Sequence, residues 1–425
     1  MMRRIAGRVR RAAGAPLVPF RRLAPRVAAL TAASRRIARA LGAAARRPAP
    51  GGAIRVGVDI RPFYEPLTGV GWYLYFLLEE LARRDDVEIV CFGDGSVDDG
   101  GPHLHVALPD GLEGVAVDLR GLPVTRASKR IASLAFPAIA WLTRCDVFFG
   151  ANYFLPRTLS AIARRRVVTV HDLTYKRHPE LLQDETLRNL EREMLREIAR
   201  ADAVICVSES TRADILAHYT VDPRKVYAIS SGPPPARAAG ARTTDLPARY
   251  VLFVSTIEPR KNLDVLIEAF ERLKDGGYAG ELLVAGKVGW KSEGTLRRMA
   301  ASRWSGSIRQ LDYVDRGTLP WLYRGADAFV LPSRYEGFGL PLLEAMREGT
   351  PVVAARNSSL PEVGGDAAVY FETEDASDLA AALRRVLEDD AFRAALVARG
   401  PANLARFSWE RAAAETAAVF RRVAR

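Results

Sequence analysis

Short runs of β-branched and aliphatic residues alternate with longer amphipathic stretches along most of this chain, and that alternation restricts the fold more than any other feature. From residue 54, the segments 54–60, 87–92, 146–150, 167–170, 203–207 and 225–229 read as strands, with helical spacing at 72–84, 186–200 and 209–218. Strands covered on both faces appear as near-continuous apolar runs, and a helix between two of them returns the second parallel to the first. The repeated order predicts a mostly parallel sheet with helices on both sides.

The pattern stops at residues 231–248, SGPPPARAAGARTTDLPA, where Pro, Gly, Ala and Thr carry no periodicity. It then resumes with strand-like runs at 250–255, 281–285, 308–313, 328–331, 352–355 and 369–371 and helical patterns at 263–273, 295–303 and 376–388. A chain of 425 residues exceeds one ordinary core, and 48% hydrophobic residues suffice to fill two. The expected fold class is α/β, two doubly wound Rossmann-like domains facing a central cleft, with ligands at the carboxyl ends of the strands that line it. The expected divisions are a first domain at 54–235, a linker at 236–248, a second domain at 249–405 and a terminal helix at 406–425, opened by the capping pattern at Ser408.

The net charge of +12 suggests a nucleic-acid binder until its distribution is read. Residues 1–50 hold 13 of the 62 Lys and Arg and none of the 50 Asp and Glu, which leaves 49 bases against 50 acids in the rest. The body is near neutral, and no nucleic-acid partner is expected. Residues 1–50 alternate Arg pairs with Ala, Leu and Val and are broken by Pro16, Pro19 and Pro25. Two readings stay open: a disordered Ala/Arg-biased tail or misplaced start, and a basic amphipathic segment held on an anionic membrane face. Its apolar stretches are too short to span a bilayer, and so is segment 131–142, which contains Pro137 and reads as a core or interfacial helix. Cys91, Cys145 and Cys206 lack metal-ligand spacing and are expected as buried thiols in a reducing compartment. The expected address is cytoplasmic, with peripheral contact at the inner membrane face under the second reading of residues 1–50.

The segment from Glu336 to Glu344, EGFGLPLLE, joins the strand-like run at 328–331 to a helix at 340–347 through a turn at Gly337 and Gly339. A helix N-terminus at the carboxyl end of a parallel strand is where such a domain holds phosphate. Glu344, a turn into the helix, has the wrong position and charge for phosphate and suits a neutral polyol such as ribose. Glu336, ahead of the helix, reaches toward sugar hydroxyls on the other side of a diphosphate. The pair predicts a nucleotide sugar lying across the turn.

After the run at 250–255 come Arg260 and Lys261, adjacent cations at a strand end and helix start. They can neutralise a diphosphate and stabilise the charge that grows on it as it leaves. Cations at that end oppose the macrodipole, so a merely solvated helix start does not account for them. In the first half, Gly69-Val-Gly71 is either an ordinary tight turn or a wall for the diphosphate or acceptor. His171 closes the run at 167–170, with Asp172 next to it. A lone His is usually structural, but at a cleft-facing strand end it can hydrogen-bond the transferred sugar or the acceptor hydroxyl.

The sequence contains no Asp-x-Asp and no His/Cys/Glu cluster of ligand spacing, so neither a metal nor a cofactor is expected. It has no Gly-x-x-x-x-Gly-Lys-Ser/Thr loop and no Gly-x-Ser-x-Gly elbow, which counts against NTPases and α/β-hydrolases. The stretch from Thr68 to Tyr73 breaks the Gly-x-Gly-x-x-Gly of NAD-dependent dehydrogenases.

Together these residues resemble the retaining glycosyltransferases of family 4, which have the two-domain GT-B fold, over about residues 54–423. EGFGLPLLE is similar to that family's E-x7-E signature, and the Glu258-Pro-Arg-Lys-Asn262 segment to its diphosphate-binding motif. The resemblance implies that Arg260 and Lys261 bind the donor diphosphate, and that Glu336 with the backbone of Phe338, Gly339 and Leu340 meets sugar and phosphate. Glu344 would hold the ribose, Tyr313 and Val314 would line the base, His171 would sit near the sugar, and Gly69 and Gly71 would form the glycine loop. The roles at the reacting centre fall on His171, Glu336, Arg260 and Lys261. Trp72 stands where relatives often carry Arg, and Ser231-Gly232 where Asn-Gly is common, and both bear on acceptor contacts.

The implied activity is transfer of a hexose, mannose first, from a nucleotide sugar to a glycan or lipid-linked acceptor in surface-polysaccharide synthesis. The segments DIRP, TGVGWY and TVHDL are similar to bacterial mannosyltransferases and favour GDP-mannose over a UDP-sugar as donor. Neither half shows an obvious carboxylate for double displacement, so retention is expected through front-face attack, the departing diphosphate oxygen taking the acceptor proton. Two alternatives stand beside this: a GT-B sugar-nucleotide epimerase, which needs no acceptor, and a non-catalytic nucleotide-sugar-binding subunit.

Overall fold

The computed structural model describes residues 52–63, 67, 69–93, 108–110, 112, 114–116, 144–155, 159–160, 163–235, 246–315 and 317–425. The basic segment 1–50, the apolar segment 131–142 and most of the linker lie outside the described residues.

The first sheet holds seven strands: β1 (Ile54–Asp59), β2 (Val87–Gly93), β3 (Gly114–Ala116), β4 (Val147–Gly150), β5 (Arg166–Val170), β6 (Ala203–Cys206) and β7 (Val226–Ala228). Their order is β3-β2-β1-β4-β5-β6-β7, every neighbour parallel. Helices α1 (Gly69–Ala82), α2 (Thr174–Arg177), α3 (Asp184–Arg200) and α4 (Glu209–His218) lie among these strands in sequence. β3 escaped the sequence reading because three residues, Gly-Val-Ala, carry no alternation.

The second sheet is also all parallel, in the order β10-β9-β8-β11-β12-β13. Its strands are β8 (Tyr250–Val254), β9 (Glu281–Ala285), β10 (Ile308–Asp312), β11 (Ala328–Leu331), β12 (Val352–Ala355) and β13 (Ala368–Phe371). The connecting helices are α5 (Leu263–Asp275), α6 (Glu293–Ala301), α7 (Leu319–Gly325), α8 (Leu340–Arg347) and α9 (Leu360–Gly364), followed by α10 (Ala376–Glu388) and α11 (Asp390–Leu404). Central strands such as Val352–Ala355 are buried at every residue, which is why they read as plain apolar runs. Helix α11 was not read from the sequence, since Pro401 sits inside it and blurs the helical pattern.

The last helix, α12 (Trp409–Ala424), starts at Ser408, whose hydroxyl accepts from the Arg411 amide at 3.2 Å. It returns to the first domain, packing on α1, with Phe420 edge-on to Phe149 and Trp409 against Tyr73 and Phe76. All three cysteines are buried free thiols.

Each sheet reverses its strand order once, between β1 and β4 and between β8 and β11. Loops leaving the carboxyl ends of such a pair diverge to opposite faces and open a crevice. In the second sheet the two loops are 255–262 after β8, which holds the Arg260-Lys261 motif, and 332–339 after β11, which holds the first half of the Glu336–Glu344 motif.

Candidate active site

Leaving β8, the chain makes a 3-10 turn at Pro259–Lys261 and enters α5 through Asn262, which is left-handed at φ 53. Asn262 is buried and its amide donates to the Thr373 carbonyl at 2.9 Å, which fixes the turn. Arg260 and Lys261 therefore turn inward, with side chains 17% and 12% exposed. Lys261 Nζ lies 2.5 Å from Glu336 Oε1, and Arg260 Nη1 lies 3.1 Å from Glu336 Oε2. The same Nη1 donates to the Tyr335 carbonyl at 3.0 Å, and Ser333 Oγ donates to Glu336 Oε1 at 2.6 Å.

A second carboxylate, which the sequence reading passed over, completes the cluster. Glu258 accepts from Arg260 Nε at 3.0 Å and from Nη2 at 2.8 Å. Two acids and two bases thus form one buried network with no net charge. Burial works against the Glu336 anion, but Lys261 and Arg260 outweigh it and bring its carboxyl down to about 2. Burial likewise opposes the Arg260 cation, yet Glu336, Asp172 and Glu258 hold it above its usual range. Lys261 is lowered, by burial and then by the Arg260 charge, while Glu258 is raised by burial. Breaking one partner out of such a network leaves an uncompensated buried charge and costs about 3–5 kcal/mol.

The turn after β11 is pinned from behind by Ser359, whose hydroxyl donates to the carbonyls of Glu336 and Phe338. Gly339, at φ 99, caps α8 without a side chain. Phe338 is buried edge-on to Phe407, so its backbone rather than its ring faces any ligand there. Glu344 is the fifth residue of α8, beyond Leu340, and its Oε2 accepts from the Tyr323 hydroxyl at 2.9 Å. Tyr313 is 58% exposed with Lys287 Nζ 5.0 Å from its ring centre, and Val314 packs partly against the core.

From the first domain, His171 follows β5. Its Nε2 is 2.7 Å from the Ala151 carbonyl, which can only accept, so Nε2 carries the hydrogen. Burial lowers the ring's basicity, leaving it neutral with Nδ1 as an acceptor. Tyr73 and Tyr153 hold it edge-on with ring centres 4.9 and 5.8 Å away. Tyr153 itself has a left-handed backbone at φ 62. Asp172 accepts from the Thr174 amide at 2.9 Å, and its charge acts on Arg260 across the cleft. Asp172 and Glu258 add to the cluster two carboxylates that were given no role from the sequence. Both adjoin motif residues, but only the folded chain brings them to Arg260. Gly69 and Gly71 require a correction too: they form the first turn of α1, not an open loop, because the apolar helix behind them starts earlier than the sequence spacing suggested.

The domains meet directly over this cluster. Thr211 Oγ1 donates to the Gly337 carbonyl at 3.3 Å, and Glu362 accepts from the amides of Glu209 and Ser210 at 2.9 and 3.1 Å. Among the described residues there is no group of three or more His, Cys, Asp or Glu able to hold a metal, and no helix long and apolar enough to cross a membrane.

Two doubly wound parallel sheets facing each other, with buried cations at the switch point of one and a strand-end histidine from the other, define a glycosyltransferase of the GT-B class. The profile described as Glycosyltransferase Family 4 matches residues 67–237, and that described as Glycosyl transferases group 1 matches residues 241–402. The chain is 31% identical over 374 residues to O-antigen chain mannosyltransferase B of Escherichia coli, an alignment covering 84% of this chain and 96% of that one. This chain therefore belongs to glycosyltransferase family 4. Its fold is shared with sucrose-phosphate synthase of Thermosynechococcus elongatus, at TM-score 0.66 and 20% identity over 87% of this chain and 98% of that one. It is shared also with Anabaena HepE, solved with UDP and glucose, at TM-score 0.62 and 17% identity over 86% and 98%.

Proposed function

We propose that this glycosyltransferase moves mannose from GDP-mannose to a glycan or lipid-linked acceptor in surface-polysaccharide synthesis, with retention of anomeric configuration. The observation that carries the donor reading is the buried pair Arg260 and Lys261 at the β8/β11 switch point, beside the N-terminus of α8. The mannosyl part rests on the similarity to the O-antigen mannosyltransferase.

In this reading the diphosphate lies along Arg260, Lys261 and the backbone of Phe338, Gly339 and Leu340, while Glu344 holds the ribose and Tyr313 with Val314 the base. Glu336 and His171 meet the hexose, His171 accepting a sugar hydroxyl through Nδ1, and Gly69 with Gly71 border the acceptor side. The bond from the anomeric carbon to the diphosphate oxygen breaks and one to the acceptor oxygen forms on the same face. The acceptor proton passes to the departing oxygen, whose charge Arg260 and Lys261 stabilise. A diphosphate must compete with Glu336 and Glu258 for these cations, so binding rearranges the ion pairs rather than filling a vacant site. The enzyme would work in the cytoplasm, with residues 1–50 resting on an anionic membrane face.

The test is thermal shift against GDP, UDP, GDP-mannose and UDP-glucose, followed by NMR of the product formed from the donor that binds. Stabilisation by the guanine nucleotides and an α-linked mannoside support the reading. Preference for uridine nucleotides would overturn the donor, an inverted product the mechanism, and donor turnover without acceptor would favour the epimerase.

A further inference from the structure

Tyr335 joins the two domains at the residue next to Glu336. It is 3% exposed although it sits in a loop at the domain boundary. Its hydroxyl donates to Asp214 Oδ2 on α4 of the first domain at 2.6 Å and accepts from the Leu173 amide at 3.2 Å. Asp214 Oδ1 is also 3.5 Å from Arg177 Nε, so the carboxylate is shared between that ion pair and the Tyr335 hydroxyl. On the other side, the Tyr335 carbonyl accepts from Arg260, and the next residue is the carboxylate that pairs with Lys261. One residue therefore touches the first domain with its side chain and the cation cluster with its backbone.

We propose that Tyr335 is a positioning residue, whose bond to Asp214 makes the productive posture of the Arg260–Glu336 cluster depend on domain closure. The physical reason lies in the kind of contact. A short bond from a hydroxyl to a carboxylate is strong while water is excluded and is readily exchanged for hydration when the cleft opens. Such a latch favours the closed state without locking it, as an enzyme that must release a nucleotide requires. Other cross-domain contacts among the described residues have the same character: Thr211 on the Gly337 carbonyl, Glu362 on the α4 amides, and Trp290 and Lys291 on the carbonyls of Glu180, Leu181 and Leu182. Of these, Tyr335 is the one whose backbone also holds a residue of the cluster. The inference rests on the donor-site reading above.

The experiment is a double-mutant cycle of Tyr335→Phe and Asp214→Ala, with GDP-mannose and UDP-glucose turnover, GDP and UDP affinity, and small-angle scattering of the unliganded protein. Phe keeps the ring and its packing against His178. Each single variant should lower kcat about tenfold, and the pair should be no worse than either alone. The affinity for GDP and UDP should stay within about twofold, because the proposed nucleotide contacts lie on the second domain. The radius of gyration should rise in both variants. Additive losses, an unchanged radius, or nucleotide affinity falling in step with kcat would overturn the proposal. An Arg260→Ala control separates the two readings. If that variant keeps full activity, the site reading has failed; if it is inactive while Tyr335→Phe matches the wild type, only the latch has failed.

Discussion

The carbonyl oxygen of His171 occupies the space where a side chain on Gly337 would begin: a β-carbon there would lie far inside van der Waals contact with it. The first domain's histidine loop and the second domain's Glu336 turn thus touch backbone to backbone, and only glycine permits it. Gly337→Ala should leave each domain folded and hold them apart. Transfer should fall about 100-fold, since displacement of roughly an ångström costs that much in an aligned site. Steady-state kinetics with a melting curve checks this, and a variant of wild-type activity would refute the closed geometry.

The buried ion pair gives a second expectation. Lys261→Ala leaves Glu336 and Glu258 sharing the single cation of Arg260 and should destabilise the protein by about 3–5 kcal/mol, while Lys261→Met with Glu336→Gln should recover most of that loss. Both should lower kcat/KM by about 100- to 1,000-fold, because stability is restored but charge at the leaving group is not. Denaturant unfolding beside kinetics separates the two effects.

Two buried groups of the site act on the acid limb of stability. His171 is lowered from 6.5 in the fold, so the unfolded chain binds the extra proton, and stability declines as pH falls below 6.5. Glu336 goes from 4.5 down to about 2 in the fold, so its contribution is present above 4.5 and is lost as pH falls from there toward 2. His171→Gln should flatten the upper part and leave the lower part unchanged. Melting temperatures across this range decide it, and an unchanged profile would mean that the ring is not buried neutral.

Glu344 and Tyr323 offer a test of the nucleotide site. Glu344→Ala should weaken binding of the preferred nucleoside diphosphate about tenfold. Tyr323→Phe should cost less, because its hydroxyl only orients the carboxylate. Titration calorimetry of each variant against GDP and UDP measures both, and equal affinity for wild type and Glu344→Ala would move the ribose elsewhere.

The sequence alone determined the repeating architecture and the pieces of the site, because these are local. Short apolar runs and period-3.6 patterns laid out most strands and helices, and the Glu336–Glu344 turn and the Arg260-Lys261 pair could be recognised within nine and five residues of chain. Short or interrupted elements were not legible: β3 has three residues, and α11 contains a proline. What only the tertiary structure decided is which charge answers which. Glu336 meets Lys261 from 75 residues away, Tyr335 reaches Asp214 from 121 and Leu173 from 162, and Asp172 acts on Arg260 from the opposite domain. Such pairings depend on how two sheets face each other, and local periodicity carries no record of that.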